Sequence, residues 1–201
     1  FLKQGKGANQ EKLFGKVTTL VLAGLGFIWL ILMLWADDFI QLEIMGYSFF
    51  GEEFQNSIPI VPWIALGYLF YGFYVLQTPG IFLKDRPGIA AWTRLLGATS
   101  NIIFCFIFIP LYGAIGAAMA TCLAFFLMLV MMYWWNTKLY PIRLEWRKII
   151  FITIILISGF LVSRGFADNL FINILITGLY PISLIGLGII KMDSFKSRVA
   201  D

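Results

Sequence analysis

Six stretches of apolar residues follow one another along the chain, and each is long enough to constrain how that part of it folds. An α-helix needs about 20 mostly apolar residues to cross the hydrocarbon core of a bilayer. The six stretches, of which the fifth is the shortest, cover residues 17–35, 58–78, 89–109, 113–135, 146–162 and 170–190. No connection between them is long enough to hold a soluble domain. The chain is therefore predicted to be all-α, a polytopic bundle of six spanning helices that forms a single transmembrane domain over residues 1–201.

The composition supports this prediction. Hydrophobic residues make up 60% of the chain and charged residues only 13%, whereas about a quarter of the residues in soluble domains are charged. A water-exposed surface cannot be built from so few charges, so the lipid bilayer must cover much of the protein. The net charge of +4 is not gathered on a basic soluble module, which argues against nucleic acid as a partner.

The basic residues alternate between connections as six crossings require. Of the 15 Lys and Arg residues, 14 lie at one predicted side of the bundle, and Arg164 alone lies at the other. Because basic residues favour the cytoplasmic side, both termini are predicted to be cytoplasmic. The connection over residues 36–57 is acidic and rich in apolar residues, which predicts an interfacial helix or a re-entrant edge at the outer surface.

Several kinds of catalytic or cofactor site are absent from the sequence. It contains no histidine, which excludes His-Glu-x-x-His zinc sites and nucleophiles activated by histidine. Cys105 and Cys122 lie inside apolar stretches and are predicted to be small packing residues. No phosphate-binding loop of the Gly-x-x-x-x-Gly-Lys-Ser type occurs, so this chain is not expected to use ATP. No metal site, cofactor or catalytic residue is predicted, and the chain is not expected to be an enzyme.

The fourth predicted helix carries small residues at every fourth position. They form two neighbouring rows, Gly113, Ala117 and Thr121 in one and Gly116, Ala120 and Ala124 in the other. Helices in lipid associate through close backbone approach across such small faces, so another helix is predicted to pack tightly here. Static packing explains the pattern, and so does an interface that slides or rocks in a transporter.

The third predicted helix carries the strongest candidate for a binding site. Arg94 and Asn101 share one stripe with Gly97, Ala98 and Cys105. At about 1.5 Å per residue, Arg94 lies roughly 7 Å and Asn101 roughly 18 Å from the predicted cytoplasmic end of the helix. Arg94 either extends back to the inner headgroups or faces a hydrated cavity, where its guanidinium would bind a phosphate through paired hydrogen bonds.

Further polar candidates lie on the second helix and in the connection that follows it. Tyr71 and Gln77 are candidates for substrate contact within the second helix, although each can instead form a structural hydrogen bond. Lys84 and Arg86 follow in a short basic connection, where they either assist Arg94 or only determine the topology.

The order of these residues resembles a known family. The segments "FGEEFQNSIPIVPWIALGYLFYG" and "LKDRPGIAAWTRLLGATSNIIFCFIFIPLYGAIGAAMAT" resemble the C-terminal half of polysaccharide transporters in the multidrug/oligosaccharidyl-lipid/polysaccharide exporter superfamily, which includes the O-antigen flippases. The resemblance rests on a Gly-x-x-Phe segment, a proline-containing helix, a short basic loop, an asparagine and the "IP-x-YG-x-x-GAA-x-AT" motif. In this chain those positions are Gly51 with Phe54, Pro59 with Pro62, Lys84 with Arg86, Asn101, and residues 109–121.

The resemblance implies a flippase that moves polyprenyl-pyrophosphate-linked oligosaccharide across the cytoplasmic membrane of a bacterium or archaeon by alternating access. Such proteins have two lobes around a central cavity, and this chain resembles one lobe. The N-terminal lobe is expected to precede it in a longer chain or to come from a partner chain. Arg94, assisted by Arg86 and Lys84, is expected to attract the pyrophosphate.

Two other functions stay open at this level. A membrane-embedded enzyme acting on the same lipid-linked sugar would need an outer loop with acidic, basic or arginine groups for catalysis. The long outer connection contains no Arg and no His, which argues against this alternative. A subunit that does not transport but binds a partner within a membrane complex is the other alternative.

Overall fold

The computed structural model describes residues 7–40, 43–44, 47–48, 57–140, 142–165, 169–186 and 188–189. These residues form six helices: α1 Gly7–Ile40, α2 Val61–Leu83, α3 Pro87–Tyr112, α4 Ala114–Leu139, α5 Trp146–Gly165 and α6 Leu170–Gly186. Five of them are long and apolar enough to cross a membrane, and α6 is a shorter apolar helix of 17 residues. The predicted fold class, an all-α polytopic membrane bundle, is confirmed.

The helices pack as two groups of three. In the first group α4 lies against both α2 and α3, and in the second α1 lies against both α5 and α6. Each group has its own buried apolar cluster, one around Tyr74 and Met132 and the other around Leu30 and Tyr180. A contact between α1 and α2 joins the two groups.

The helix ends meet in the order that alternating crossings require. Near the start of α1, the ring of Phe14 lies 6.3 Å from that of Tyr140, just after the end of α4. The amine of Lys84, just after α2, lies 6.0 Å from the same Tyr140 ring. At the opposite end, the side chain of Asn173 contacts both α5, through Ser163, and α1, through the carbonyl of Leu34. The end that carries Lys84 and the α4–α5 connection is called the basic end below.

Helix α2 extends beyond its predicted end. The Pro-Gly pair after Thr78 predicts a stop, but the helix continues to Leu83. Pro79 has no N–H to donate to the carbonyl of Val75. The hydroxyl of Thr78 donates to that carbonyl instead, at 2.7 Å, so the carbonyl keeps a partner and the helix does not break. Helix α3 likewise passes through Pro110 and ends at Tyr112 rather than at residue 109.

The bounds of α1 and α6 and the structure of the long connection after α1 also differ from the prediction. Helix α1 begins at Gly7 rather than residue 17 and takes up residues 36–40 of the long connection. The strands β1 Glu43–Ile44 and β2 Tyr47–Ser48 then pair antiparallel, so these four residues do not belong to the predicted interfacial helix, because their backbone groups bond to each other instead. Residues 49–56, where part of that interfacial segment was predicted, lie outside the described residues. The sixth helix is described to Gly186 rather than to residue 190.

Candidate functional site

The small residues of α4 let two helices approach it closely. Gly116, Ala120 and Ala124 are buried. A Cβ at Gly116 would collide with the backbone carbonyl of Phe108 in α3. On the α2 side, a Cβ at Gly67 would lie 3.2 Å from the Cα of Cys122 in α4. The α2/α3/α4 group therefore depends on close backbone contact on two sides of α4.

The second row of small residues on α4, which contains Ala117 and Thr121 and follows Gly113, does not make these close backbone contacts. Ala117 and Thr121 are half-buried, and the Thr121 hydroxyl donates to the Ala117 carbonyl at 3.1 Å. Gly113 packs against no neighbour, because a Cβ there would meet nothing within 4 Å. It forms instead the one-residue turn between α3 and α4, with a φ of 57°, a backbone conformation that glycine adopts without strain.

Arg94 lies on α3 about 10 Å from the start of the helix, measured along its axis. Its Nε donates a hydrogen bond to the hydroxyl of Tyr74 on α2, at 3.3 Å. Tyr74 is fully buried, and its ring stacks on that of Tyr71 with 5.8 Å between the centroids. The centroid of the Phe125 ring on α4 lies 4.9 Å from that of Tyr71. Arg94 is thus attached to an aromatic cluster at the junction of α2 and α4.

The flank of α3 around Arg94 is open. Its neighbours along this flank, Ala91 and Ala98, are small and exposed, whereas large apolar residues such as Trp92 and Leu96 lie on other faces of the helix. Among the described residues no carboxylate pairs with Arg94, and its single hydrogen bond uses Nε. The two terminal nitrogens of the guanidinium are therefore available to an anion.

Asn101 links α3 to α4. Its Nδ2 donates to the Thr121 hydroxyl at 3.4 Å, and its Oδ1 accepts from the Cys105 thiol at 3.1 Å. Next to it, a groove of about 380 Å³ continues the same flank of α3 away from Arg94 and is lined by Asn101, Ile102, Cys105, Phe106, Ile109 and Pro110. The nitrogen and the oxygen of the Asn101 amide thus each have a hydrogen-bond partner within the chain. The residue also borders an open groove.

Gln77 lies inside the interface between α2 and α4, with 1% of its surface exposed. The side-chain amide of Asn136 donates to the Gln77 backbone carbonyl at 2.8 Å. Within the described part of the chain, the Gln77 Nε2 and the Asn136 Oδ1 have no partner. In this conformation Gln77 faces α4 and not an open surface, while Tyr71 is half-buried beside Tyr74.

Lys84 and Arg86 are exposed in the turn between α2 and α3, at the basic end. Arg86 precedes Arg94 by eight positions, which corresponds to about 12 Å along the helix axis. The structure therefore places these two basic side chains at the end of the helix pair that holds Arg94, slightly more than two turns from Arg94 or further. Sequence reasoning did not single out Tyr74, whose burial and bond to Arg94 depend on how α2 and α3 meet.

The second group of helices has polar side chains of a different kind. Asn173 is buried, accepts from Ser163 at 2.7 Å and donates to the Leu34 carbonyl at 3.2 Å. The Tyr180 hydroxyl donates to the Ala23 carbonyl at 2.9 Å. These groups bond to one another and to backbone carbonyls, and they hold α1, α5 and α6 together.

A groove of about 440 Å³ between α1 and α2 is lined almost entirely by apolar side chains. Arg94 is therefore the strongest candidate for an anion-binding residue.

Comparison with known proteins agrees with a membrane protein. No family model and no solved structure matches the chain. The chain is similar to the uncharacterized membrane protein MJ1068 of Methanocaldococcus jannaschii, with 25% identity over 164 residues. The match covers 75% of this chain and 31% of that protein, so the chain spans about a third of the length of this relative.

Proposed function

We propose that this chain is one lobe of a flippase that moves an anionic lipid-linked oligosaccharide across the cytoplasmic membrane. The multi-pass apolar bundle and the similarity to a membrane protein support the location in a membrane. The resemblance of the segments around Asn101 and residues 109–121 to polysaccharide transporters supports the substrate class, a polyprenyl-pyrophosphate carrier of a sugar repeat unit. The second lobe comes from a further part of a longer chain or from a partner.

One observation carries the proposal. Arg94 stands within an apolar helix with its terminal guanidinium nitrogens open and, in the described residues, no carboxylate beside it. On insertion scales a charged side chain costs about 2.5–3.5 kcal/mol at the centre of a spanning helix and less near the interface, so an arginine about 10 Å from the start of α3 implies a function or a short path to the interface. A pyrophosphate would meet the guanidinium with two parallel hydrogen bonds, which a single lysine ammonium cannot form.

The two groups of helices suggest how the lobe takes part in alternating access. The α2/α3/α4 group carries Arg94, and close backbone contacts at Gly67 and Gly116 hold it as one unit. The α1/α5/α6 group is held by its own buried polar side chains. A lobe built of two tightly packed helix groups can rock against a second lobe while the anionic headgroup stays bound to Arg94. Lys84 and Arg86 raise the local concentration of anions at the basic end.

The test is a flipping assay with the full-length protein in vesicles, using a fluorescent polyprenyl-pyrophosphate-linked oligosaccharide. Arg94→Ala is expected to lower the flipping rate at limiting substrate by 10- to 100-fold, because a hydrogen-bonded charge contributes about 1.5–3 kcal/mol. Arg147→Ala, which removes an exposed arginine of α5 at the basic end, is the matched control and should change the rate less than threefold. Normal flipping by correctly inserted Arg94→Ala protein would contradict the proposal, and a change in the mass of the lipid-linked sugar would instead indicate an enzyme.

A further inference from the structure

The hydroxyl of Tyr74 is placed where it can control the orientation of Arg94. Tyr74 and Tyr180 are the largest fully buried side chains of the chain's described part, and the ring of Tyr74 lies in the apolar cluster with Met128 and Met132 of α4. A tyrosine this deeply buried needs a partner for its hydroxyl. The partner is the Nε of Arg94, which belongs to α3, a helix that meets α2 mainly through α4.

The arginine has little else to hold it. Its guanidinium is at the end of a flexible chain, and ordering such a side chain costs rotamer entropy. Its exposed neighbours Ala91 and Ala98 are too small to restrain it. Without a partner the guanidinium would be free to extend towards the headgroups, as long basic side chains near helix ends do.

The bond also determines which nitrogens face outward. Because Tyr74 accepts from Nε, both terminal nitrogens remain free, and these are the pair that can bind two oxygens of one phosphate end-on. Gly97, three residues further along α3, leaves room for the side chain of Met128 on α4, which belongs to the same apolar cluster as Tyr74. The burial of Tyr74 and its stack on Tyr71 fix the position of the hydroxyl that accepts from Arg94.

We propose that Tyr74 is a positioning residue that holds Arg94 in place, with its terminal nitrogens turned to the open flank of α3, for a phosphate or pyrophosphate group. Tyr74 itself does not touch the substrate, because its ring is buried and its hydroxyl is occupied. This inference rests on the proposed function, since it assigns a role within the same anion site.

The experiment is a double-mutant cycle in the full-length protein, with Tyr74→Phe, Arg94→Ala and the combined variant. The readouts are KM and maximal rate of flipping of the fluorescent pyrophosphate-linked lipid, together with the Tm. Tyr74→Phe is expected to raise KM about tenfold, as loss of a bond worth about 1.4 kcal/mol would do, with little change in maximal rate. In the Arg94→Ala background the same change should have no further effect. Tyr180→Phe, a matched loss of a buried and hydrogen-bonded hydroxyl in the α1/α5/α6 group, should leave KM unchanged.

The outcomes separate the two claims. If Arg94→Ala flips normally, the proposed function is wrong whatever Tyr74 does. If Arg94→Ala is impaired but Tyr74→Phe is normal, or if the two effects add, the positioning role is wrong and the anion site stands. A second readout avoids dependence on the folding of Tyr74→Phe: 3-fluorotyrosine at position 74 should change its ¹⁹F resonance in Arg94→Ala and not in Arg147→Ala. An unchanged resonance in both would overturn the positioning role.

Discussion

A single hydroxyl keeps helix α2 continuous across a proline. Thr78 donates to the carbonyl of Val75 at 2.7 Å, which is the carbonyl left without its helical donor by Pro79. In the same turn Gly80 gives room to the Asn136 side chain, whose Oδ1 would lie 2.8 Å from a Cβ at that position. Thr78 thus compensates for the N–H that Pro79 lacks, and Gly80 allows the continued helix to pack against α4.

We expect Thr78→Val to destabilise the protein by about 1 kcal/mol, because the Val75 carbonyl loses its partner in apolar surroundings. The measurement is the unfolding midpoint in detergent micelles. Pro79→Ala in the Thr78→Val background should recover the loss, since Ala at position 79 supplies the missing N–H. Thr153→Val on α5 is the control: Thr153 also donates to a helical carbonyl, that of Ile149, but no proline removes the backbone donor there. Equal losses in Thr78→Val and Thr153→Val would contradict the explanation.

Among the elements, α4 has the central place in its group because its small residues face two helices. Gly116 meets α3 at the Phe108 carbonyl, and Cys122 meets α2 at Gly67. The hydrogen bond from Asn101 to Thr121 adds a polar link between α3 and α4. In a bilayer, lipid covers apolar side chains as well as a neighbouring helix does, so helices associate through close packing and polar bonds such as these.

Gly116→Ala is expected to destabilise the protein by about 1–3 kcal/mol, because the added methyl group must displace the backbone of α3 rather than a flexible side chain. The matched control is Gly178→Ala on α6, where a Cβ meets nothing within 4 Å. That change should be neutral or stabilising by up to about 1 kcal/mol, since alanine is the better helix former. Thermal unfolding of both variants in the same detergent measures the difference. A Gly116→Ala protein as stable as the control would show that α3 and α4 are not in close backbone contact.

At the scale of the whole molecule, the ends of the six helices divide into two sets. Arg86 and Arg147 lie at the basic end, and Asp38 and Asn169 lie at the other. The division agrees with alternating crossings, and the bias of Lys and Arg predicts its orientation, with the basic end in the cytoplasm.

We expect impermeant maleimide applied to intact cells to label Asp38→Cys and Asn169→Cys, and to label Arg86→Cys and Arg147→Cys only after permeabilisation. The variants are made in a Cys105→Ala, Cys122→Ala background, because both native cysteines are free thiols. Labelling of all four positions from one side would contradict the alternating crossings. The reverse pattern would keep the crossings and overturn only the orientation.

Much of the fold could be predicted because it depends on properties of single segments. The number of helices follows from apolar length, and the grouping of their ends from the alternation of basic residues. The end of α2 was predicted wrongly because the pattern of a Pro-Gly stop does not show that Thr78 takes over the bond of the missing N–H. For the candidate site, the shared stripe of Arg94 and Asn101 could be recognised along one helix, and their roles in substrate binding stay predictions.

The sequence by itself determined that this chain crosses a membrane as apolar helices with basic connections at one end, because each helix meets lipid and water independently of its neighbours. Only the tertiary structure decided which polar groups meet. It paired Arg94 with Tyr74, tied Asn101 to Thr121 and buried Gln77 against α4. The physical reason is that a polar side chain in an apolar medium bonds to whichever helix lies beside it, and that neighbour is set by the packing of small faces on segments distant along the chain.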